Sequence, residues 1–139
     1  MFYGNYEHNL DEKNRLMVPK KMRLELSQKA YIMKGFDGAL AIYKEESFLK
    51  LMEDINSLDF NKKSAREYIR AQLSSVVELE IDKAGRFQLP TQLLDKLHIG
   101  KSVVVLGALD HIEVWDKNAY QEYMSHADDN FEAIAEEIK

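Results

Sequence analysis

The chain has 139 residues, of which 45% are hydrophobic and 31% are charged, a balance typical of ordinary globular proteins. It contains no cysteine, which excludes a disulfide framework and a thiolate zinc site. The net charge of −5 is unevenly distributed, because residues 110–139 hold nine acidic and two basic residues and residues 1–109 have a net charge of +2. A weakly basic body with an acidic tail is compatible with a nucleic-acid partner.

The sequence shows no pattern of a secreted or membrane protein. Its first residues lack the basic and then apolar pattern of a signal peptide. Its longest apolar run, residues 103–109, is far shorter than the ~20 residues of a membrane-spanning helix. We therefore expect a cytoplasmic protein without a membrane partner.

An internal repeat organises the sequence. Residues 11–19 read DEKNRLMVP and residues 82–90 read DKAGRFQLP, so both share what we call the Asp–Arg–Pro frame. At an offset of 71 to 72 residues the similarity extends into the segments that follow. Two repeats within a chain of 139 residues are each too small to close a hydrophobic core alone. We therefore expect them to complete one another in one pseudo-twofold, β-rich body.

Each repeat begins with the same predicted elements. A strand near residues 6–10 or 77–81 leads into the frame, and a return strand follows it. Pro19 and Pro90 then suit the first position of a short helix, where a missing N–H costs nothing. The strand and its return strand should pair as a ribbon around the turn of the frame.

Each repeat also ends in the same way. Hairpins are predicted across GFDG, residues 35–38, and across GALD, residues 107–110. A helix should close each repeat, and Asp116 is a suitable N-cap for the second of these helices. Between the repeats, the apolar spacing of residues 61–73 predicts another helix, with Asn61 as its cap.

The frame must reverse the chain between its two strands. Asn14 and Gly85 occupy equivalent positions there, and Asn and Gly are the residue types that best tolerate a positive φ. We expect Asp11 and Asp82 to accept hydrogen bonds from N–H groups of the turn, or to pair with the arginine four residues later. Either arrangement would stiffen the loop and orient the arginine.

The two arginines of the frames, Arg15 and Arg86, are candidate DNA-reading residues. A two-stranded ribbon fits the major groove, where arginine can donate two hydrogen bonds to guanine O6 and N7. A hairpin salt bridge alone would also explain the Asp–Arg spacing. Basic residues in or just after the frames are candidates for phosphate contacts, namely Lys13, Lys83, Lys20, Lys21 and Arg23.

These motifs resemble the MraZ family, bacterial transcriptional regulators built from two AbrB-like modules. The resemblance covers about residues 1–124 and rests on MFYGNYEHNLDEKNRLMVP, DKAGRFQLP, GFDGALAIY and HIEVWD. It implies a swapped-hairpin, double-split β-barrel, a ring of subunits, and DNA binding through the arginine loops at the promoter of a division and cell-wall gene cluster. Asp11 with Arg15 and Asp82 with Arg86 match the family motif, whereas Asn14 stands where the family commonly has glycine.

We therefore predict a non-catalytic, sequence-specific DNA-binding regulator that associates with the nucleoid and binds repeated promoter boxes as a homo-oligomer. The alternative is an antitoxin-like protein-interaction module, because AbrB-like folds also serve that purpose. With the modules that the resemblance implies, we expect the chain to divide into a first AbrB-like module (residues 5–50), a helical linker (51–75), a second AbrB-like module (76–122) and an acidic C-terminal helix or tail (123–139).

Three further features of the sequence bear on its function. Lys62, Arg66 and Arg70 would form a basic stripe on a helical linker, which suits DNA, a neighbouring subunit or solvent. Residues 128–139 would form a short acidic helix with one apolar side, which could cover the basic loops, dock on its own subunit or fray. The four histidines show no ligand spacing and the chain has no nucleotide-binding or nucleophile motif, so neither metal, cofactor nor catalysis is expected.

Overall fold

The structure, a computed structural model, describes all residues from 1 to 139. Its β-rich α+β composition agrees with the prediction. The strands are β1 (Asn5–Asn9), β2 (Arg15–Met17), β3 (Lys29–Lys34), β4 (Leu40–Lys44), β5 (Val77–Glu80), β6 (Arg86–Gln88), β7 (Ser102–Gly107) and β8 (His111–Asp116). The helices are α1 (Lys20–Arg23), α2 (Glu45–Asn56), α3 (Lys63–Ser74), α4 (Thr91–Lys96), α5 (Lys117–Asp129) and α6 (Phe131–Glu137). None of these helices is long and apolar enough to cross a membrane.

The strand topology has the symmetry of the sequence repeat. Six strands form a sheet in the order β1-β7-β8-β4-β3-β5, and β2 pairs with β6 separately. In the repeat, β1 corresponds to β5, β3 to β7 and β4 to β8. Exchanging the two repeats therefore converts the order of the large sheet into its own reverse, as a pseudo-twofold relation requires.

The structure corrects the predicted pairing of strands within each frame. The first strand does not pair with its return strand: β1 pairs with β7, and β2 pairs with β6, so that both partners come from the other repeat. Likewise β5 pairs with β3. Alternation of apolar and polar residues indicates which face of a strand is buried, but it does not indicate the partner strand.

The predicted hairpins are confirmed as β3–β4 and β7–β8. Asp116 caps α5, since its carboxylate accepts a hydrogen bond from the backbone N–H of Ala119. Pro19 and Pro90 immediately precede α1 and α4 as N-cap residues, one position earlier than predicted. Asn61 was predicted wrongly, because Lys62 is the N-cap of α3 and its side chain makes no capping hydrogen bond.

Both repeats contribute to one hydrophobic core of 19 buried residues. Leu16 on β2 and Phe87 on β6 lie opposite each other and are fully buried. Val18 and Leu89 continue the same inward-facing rows. The core therefore anchors the inner face of the β2–β6 pair, and the alternate residues of these strands must face outward.

Candidate nucleic-acid interface

A single two-stranded ribbon, β2 with β6, carries both frame arginines. Arg15 lies opposite Gln88, and Arg86 lies opposite Met17, on either side of the buried Leu16–Phe87 pair. The expectation of two separate ribbons was wrong, because the strands that follow the two turns pair with each other. One outward face consequently presents both arginines.

Asp11 fixes both the turn of the first frame and its arginine. The Oδ1 atom of Asp11 accepts hydrogen bonds from the backbone N–H groups of Lys13 and Arg15, each at 2.9 Å. Its Oδ2 atom accepts from Nε of Arg15 at 2.6 Å. One carboxylate thus holds the backbone of the loop and the guanidinium together, and so combines the two contacts that the sequence had offered as alternatives.

The second frame reproduces this arrangement. Oδ1 of Asp82 accepts from the backbone N–H groups of Ala84 and Arg86, each at 2.9 Å, and Oδ2 accepts from Nε of Arg86 at 3.0 Å. In each frame the backbone N–H of the arginine, followed by its guanidinium, lowers the pKa of the aspartate carboxyl. The hydrogen-bonded turn is therefore a property of both loops.

The two frames also meet. The Nη1 atom of Arg86 lies 3.9 Å from Oδ2 of Asp11, the oxygen that accepts from Arg15. Asp11 therefore lies between the two guanidinium groups and partly offsets their mutual repulsion. The sequence repeat implied equivalence of these arginines, and the structure adds that they are neighbours.

Within each guanidinium group, the aspartates form hydrogen bonds with only the Nε atom. Each aspartate binds Nε, whereas guanine recognition uses hydrogen bonds to O6 and N7 that the terminal Nη1 and Nη2 groups can supply. The Arg15 side chain is 28% exposed and that of Arg86 is 31% exposed. The intraloop salt bridge and contact with a base are therefore compatible, although the sequence had presented them as alternatives.

The first loop is stabilised by residues of the second repeat. Asn14 has a φ of 58°, as its position in the turn predicted. Its side-chain Nδ2 donates to Oγ1 of Thr91 at 3.3 Å, and its Oδ1 accepts from Nζ of Lys101 at 2.6 Å. Lys101 also donates to the backbone carbonyl of Asp11 at 3.0 Å. Sequence reasoning missed Lys101, since its contacts join positions about ninety residues apart.

The second loop is covered by Arg23 of the first repeat. Gly85 has a φ of 86° and is buried, and a Cβ atom at this position would lie 2.8 Å from Cζ of Arg23. The Nε atom of Arg23 is buried there without a hydrogen-bond partner. The prediction that Arg23 is freely available to phosphate therefore requires correction, because part of its guanidinium packs against the loop.

Gly85→Ala is expected to destabilise the protein more than Gly38→Ala. Both glycines have a φ of 86°, so both substitutions incur the cost of a left-handed alanine, about 1 kcal/mol. Only at position 85 must the new Cβ also displace Arg23, since nothing lies within 4 Å of the corresponding atom at position 38. Denaturant unfolding of the two variants measures the difference, and equal losses would show that the Arg23 contact is unimportant.

The predicted lysines occupy different surroundings. Lys13 and Lys83 are exposed within the two turns, and Lys20 is exposed at the start of α1. Lys21 instead lies over the ring of Tyr3, with its Nζ atom 5.0 Å from the ring centroid, and Tyr3 raises the pKa of this lysine. The turn lysines therefore flank the arginines most directly, whereas Lys21 faces the N-terminal segment.

No cluster of three or more His, Asp or Glu side chains is arranged to hold a metal ion.

The fold and this site define a class: a duplicated, strand-exchanged α+β protein that presents two aspartate-oriented arginines on one ribbon. Comparison with known proteins identifies the family. The family profile described as "MraZ protein, putative antitoxin-like" matches residues 1–71 and 73–139. The chain belongs to this MraZ family, as the frame motifs had indicated.

Curated relatives support the same assignment. The "Transcriptional regulator MraZ" of Mesoplasma florum is 42% identical over 139 residues, covering 99% of this chain and 95% of the relative. The protein of the same name from Caldanaerobacter subterraneus subsp. tengcongensis is 37% identical over 138 residues, covering 99% of this chain and 96% of the relative. These names support a transcriptional regulator and agree with the prediction that the chain is not an enzyme.

Proposed function

We propose that the protein binds DNA sequence-specifically by placing the β2–β6 ribbon in the major groove. The observation that carries this proposal concerns the atoms of each arginine that are hydrogen-bonded. Nε donates to an aspartate, whereas the Nη groups make no hydrogen bond within the chain, the closest carboxylate contact being that of Nη1 of Arg86 with Oδ2 of Asp11 at 3.9 Å. Orienting the guanidinium before binding lowers the entropy lost on complex formation. Arg15 and Arg86 would then read guanine edges.

The surrounding lysines would position the ribbon without reading sequence. Lys13 and Lys83 are exposed in the turns on which the arginines depend, and Lys20 is exposed near the first frame. Their ammonium groups suit phosphate oxygens on either side of the groove, with Lys21 a candidate at the periphery. Asp11, Asp82, Asn14 and Gly85 would act by maintaining the loops.

The resemblance to the family extends the proposal to the target and the assembly. We propose two AbrB-like modules that together form a swapped-hairpin barrel, a conclusion supported by the exchanged pairs β1–β7 and β3–β5. Several such subunits in a ring would bind repeated boxes at the promoter of the protein's own division and cell-wall gene cluster, within the nucleoid. Linked binding sites raise affinity through effective concentration, which suits a weakly basic body.

Footprinting on the DNA upstream of the protein's own gene tests this function. We expect protection of short repeated boxes that are spaced near one helical turn, because identical modules on one side of the duplex require that spacing. Scrambling the boxes at constant base composition should abolish protection. Protection that is equally strong on scrambled DNA would contradict sequence-specific binding.

The family description also contains the word "antitoxin-like", which favours a protein-interaction module as the second candidate. That function predicts a protein partner bound in a fixed stoichiometry. Binding of this partner would not require the Nη groups of Arg15 and Arg86. Co-purification of a tagged chain from cells distinguishes the two: a partner retained equally by the wild type and by an Arg15→Ala, Arg86→Ala variant would support the second candidate.

A further inference from the structure

The outward face of the β2–β6 ribbon carries two side chains besides the arginines. Met17 and Gln88 alternate with the fully buried residues of their strands, and both are exposed, Met17 to 40%. Neither belongs to the hydrophobic core. The side-chain hydrogen bonds of β2 and β6 involve the arginines only, so the amide of Gln88 keeps its donors and its acceptor free.

The register of the ribbon places each of these side chains beside an arginine. Gln88 lies opposite Arg15, and Met17 lies opposite Arg86. Directly opposite residues of an antiparallel pair have Cβ atoms about 5 Å apart. Residues two positions apart on one strand are separated by about 7 Å, which equals two base steps of about 3.4 Å. The four side chains therefore form one patch that fits about three consecutive base pairs.

The two halves of this patch differ in chemistry. The offset of 71 residues that relates Arg15 to Arg86 also relates Met17 to Gln88. The patch is consequently twofold in its arginines but not in the side chains beside them, since one half presents an amide and the other a thioether. Two identical arginines select the same base, so a difference between the halves must come from their neighbours.

The amide and the thioether suit different bases. A glutamine amide can accept a hydrogen bond from N6 of adenine while donating one to N7, and an apolar side chain can contact the C5-methyl group of thymine. The unbranched, flexible side chain of methionine adapts readily to such a contact. Both groups are presented at the level of the arginines, where base edges would lie.

We propose that Gln88 and Met17 determine the sequence specificity of the ribbon together with the arginines. Gln88 reads an adenine beside the guanine bound by Arg15, and Met17 contacts the methyl group of a thymine beside the guanine bound by Arg86. This inference rests on the proposed function, to which it adds two residues and two bases. Each box then contains base pairs that the arginines alone do not select.

Selection from a randomised duplex pool tests the assignment with the full-length protein. We expect Gln88→Ala to lose discrimination at one adenine position by about tenfold per box, since a two-bond contact to a base has that order of effect. Met17→Ala should lose about fourfold at one thymine position, the effect expected for one buried methyl group. Both variants should still select the guanines.

Met17→Gln provides a gain of specificity that a merely structural role would not produce. This substitution makes the outward patch twofold in all its side chains. We expect the selected base beside the guanine of Arg86 to change from thymine to adenine. An unchanged preference at that position would overturn the assignment of Met17.

Modified bases test the contacts atom by atom on the selected duplex. Replacing the adenine by 7-deazaadenine removes the N7 acceptor, and replacing the thymine by uracil removes the methyl group, while base pairing is kept. The first change should weaken binding of the wild type but not that of Gln88→Ala. The second should weaken binding of the wild type but not that of Met17→Ala. Equal losses in wild type and variant would show that the side chain does not touch the modified atom.

Gln121→Ala, which removes an exposed glutamine from α5, is the matched control and should select the wild-type box. If Gln88→Ala and Met17→Ala also selected that box with wild-type affinity, this inference would fail while recognition by the arginines stood. If the wild type enriched no sequence, or enriched one that Arg15→Ala selects equally, the proposed function would fail and this inference with it. The two failures are therefore distinguishable in the same experiment.

Discussion

Arg15→Ala is expected to abolish specific DNA binding while leaving the folded protein intact, and Arg86→Ala should do the same. Each substitution removes a proposed two-bond contact to guanine, which is worth about 1 to 3 kcal/mol per copy. In an oligomer that binds several boxes, this loss is multiplied by the number of contacts made together. Fluorescence anisotropy with a multi-box duplex and its scrambled counterpart measures the specific component.

Stability should change little in these variants for a structural reason. The turn of the first frame depends on hydrogen bonds from backbone N–H groups to Oδ1 of Asp11, and alanine at position 15 retains its N–H. The ion pair lost with the side chain is partly exposed, and such pairs contribute little to the free energy of unfolding. A variant that unfolds at a much lower temperature would indicate that the salt bridge holds the fold.

Arg15→Lys provides the matched control for charge. Lysine retains the positive charge but lacks the planar fork, so it can bind phosphate but cannot reproduce two parallel hydrogen bonds to guanine. We expect this variant to keep non-specific binding and lose discrimination between the two duplexes. If Arg15→Lys bound the boxes as well as the wild type does, the arginine would be a phosphate ligand and not a reader of bases.

The sequence predicted those parts of the fold that depend on local chemistry. The turn residues of GFDG and GALD indicated the β3–β4 and β7–β8 hairpins, and Asp116 indicated the start of α5. Asp11 and Asp82 indicated hydrogen-bonded turns because an aspartate side chain is short enough to reach N–H groups two residues later.

The parts that the sequence did not predict depend on contacts between the repeats. Periodicity identified the strands around the frames. It could not identify their partner strands, because β1 and β5 present the same residues inward whichever repeat they pair with. The positions of Lys101 over the first loop and of Arg23 over the second likewise require the fold to be known. The asymmetry of the turns then has a physical explanation: Gly85 leaves room for Arg23, whereas Asn14 uses its side chain to bind Lys101 and Thr91.

Truncation after Ala127 should weaken binding to multi-box DNA by about 10² or more, because linked sites contribute that order of avidity and we expect the exposed apolar face of α6 to pack between subunits of the proposed ring. Two effects of opposite sign compete here. Removing residues 128–139 deletes five acidic residues and one lysine, which changes the charge by +4 per chain and favours DNA at low salt. Removing α6 also deletes the exposed apolar face of Phe131, Ile134 and Ile138.

Loss of the apolar face of α6 should outweigh the change in charge on specific DNA, since screened charges act weakly beyond a Debye length of about 8 Å at physiological salt. Ile134→Asp in the full-length chain separates the two effects, because it keeps every acidic residue and disrupts the apolar face. We expect it to reproduce the loss caused by truncation, while both variants bind a single-box duplex as the wild type does. If the truncated chain instead remained oligomeric, bound DNA more tightly at low salt and converged with the full-length protein at high salt, the segment would act as an electrostatic shield over the basic loops and not as a contact between subunits.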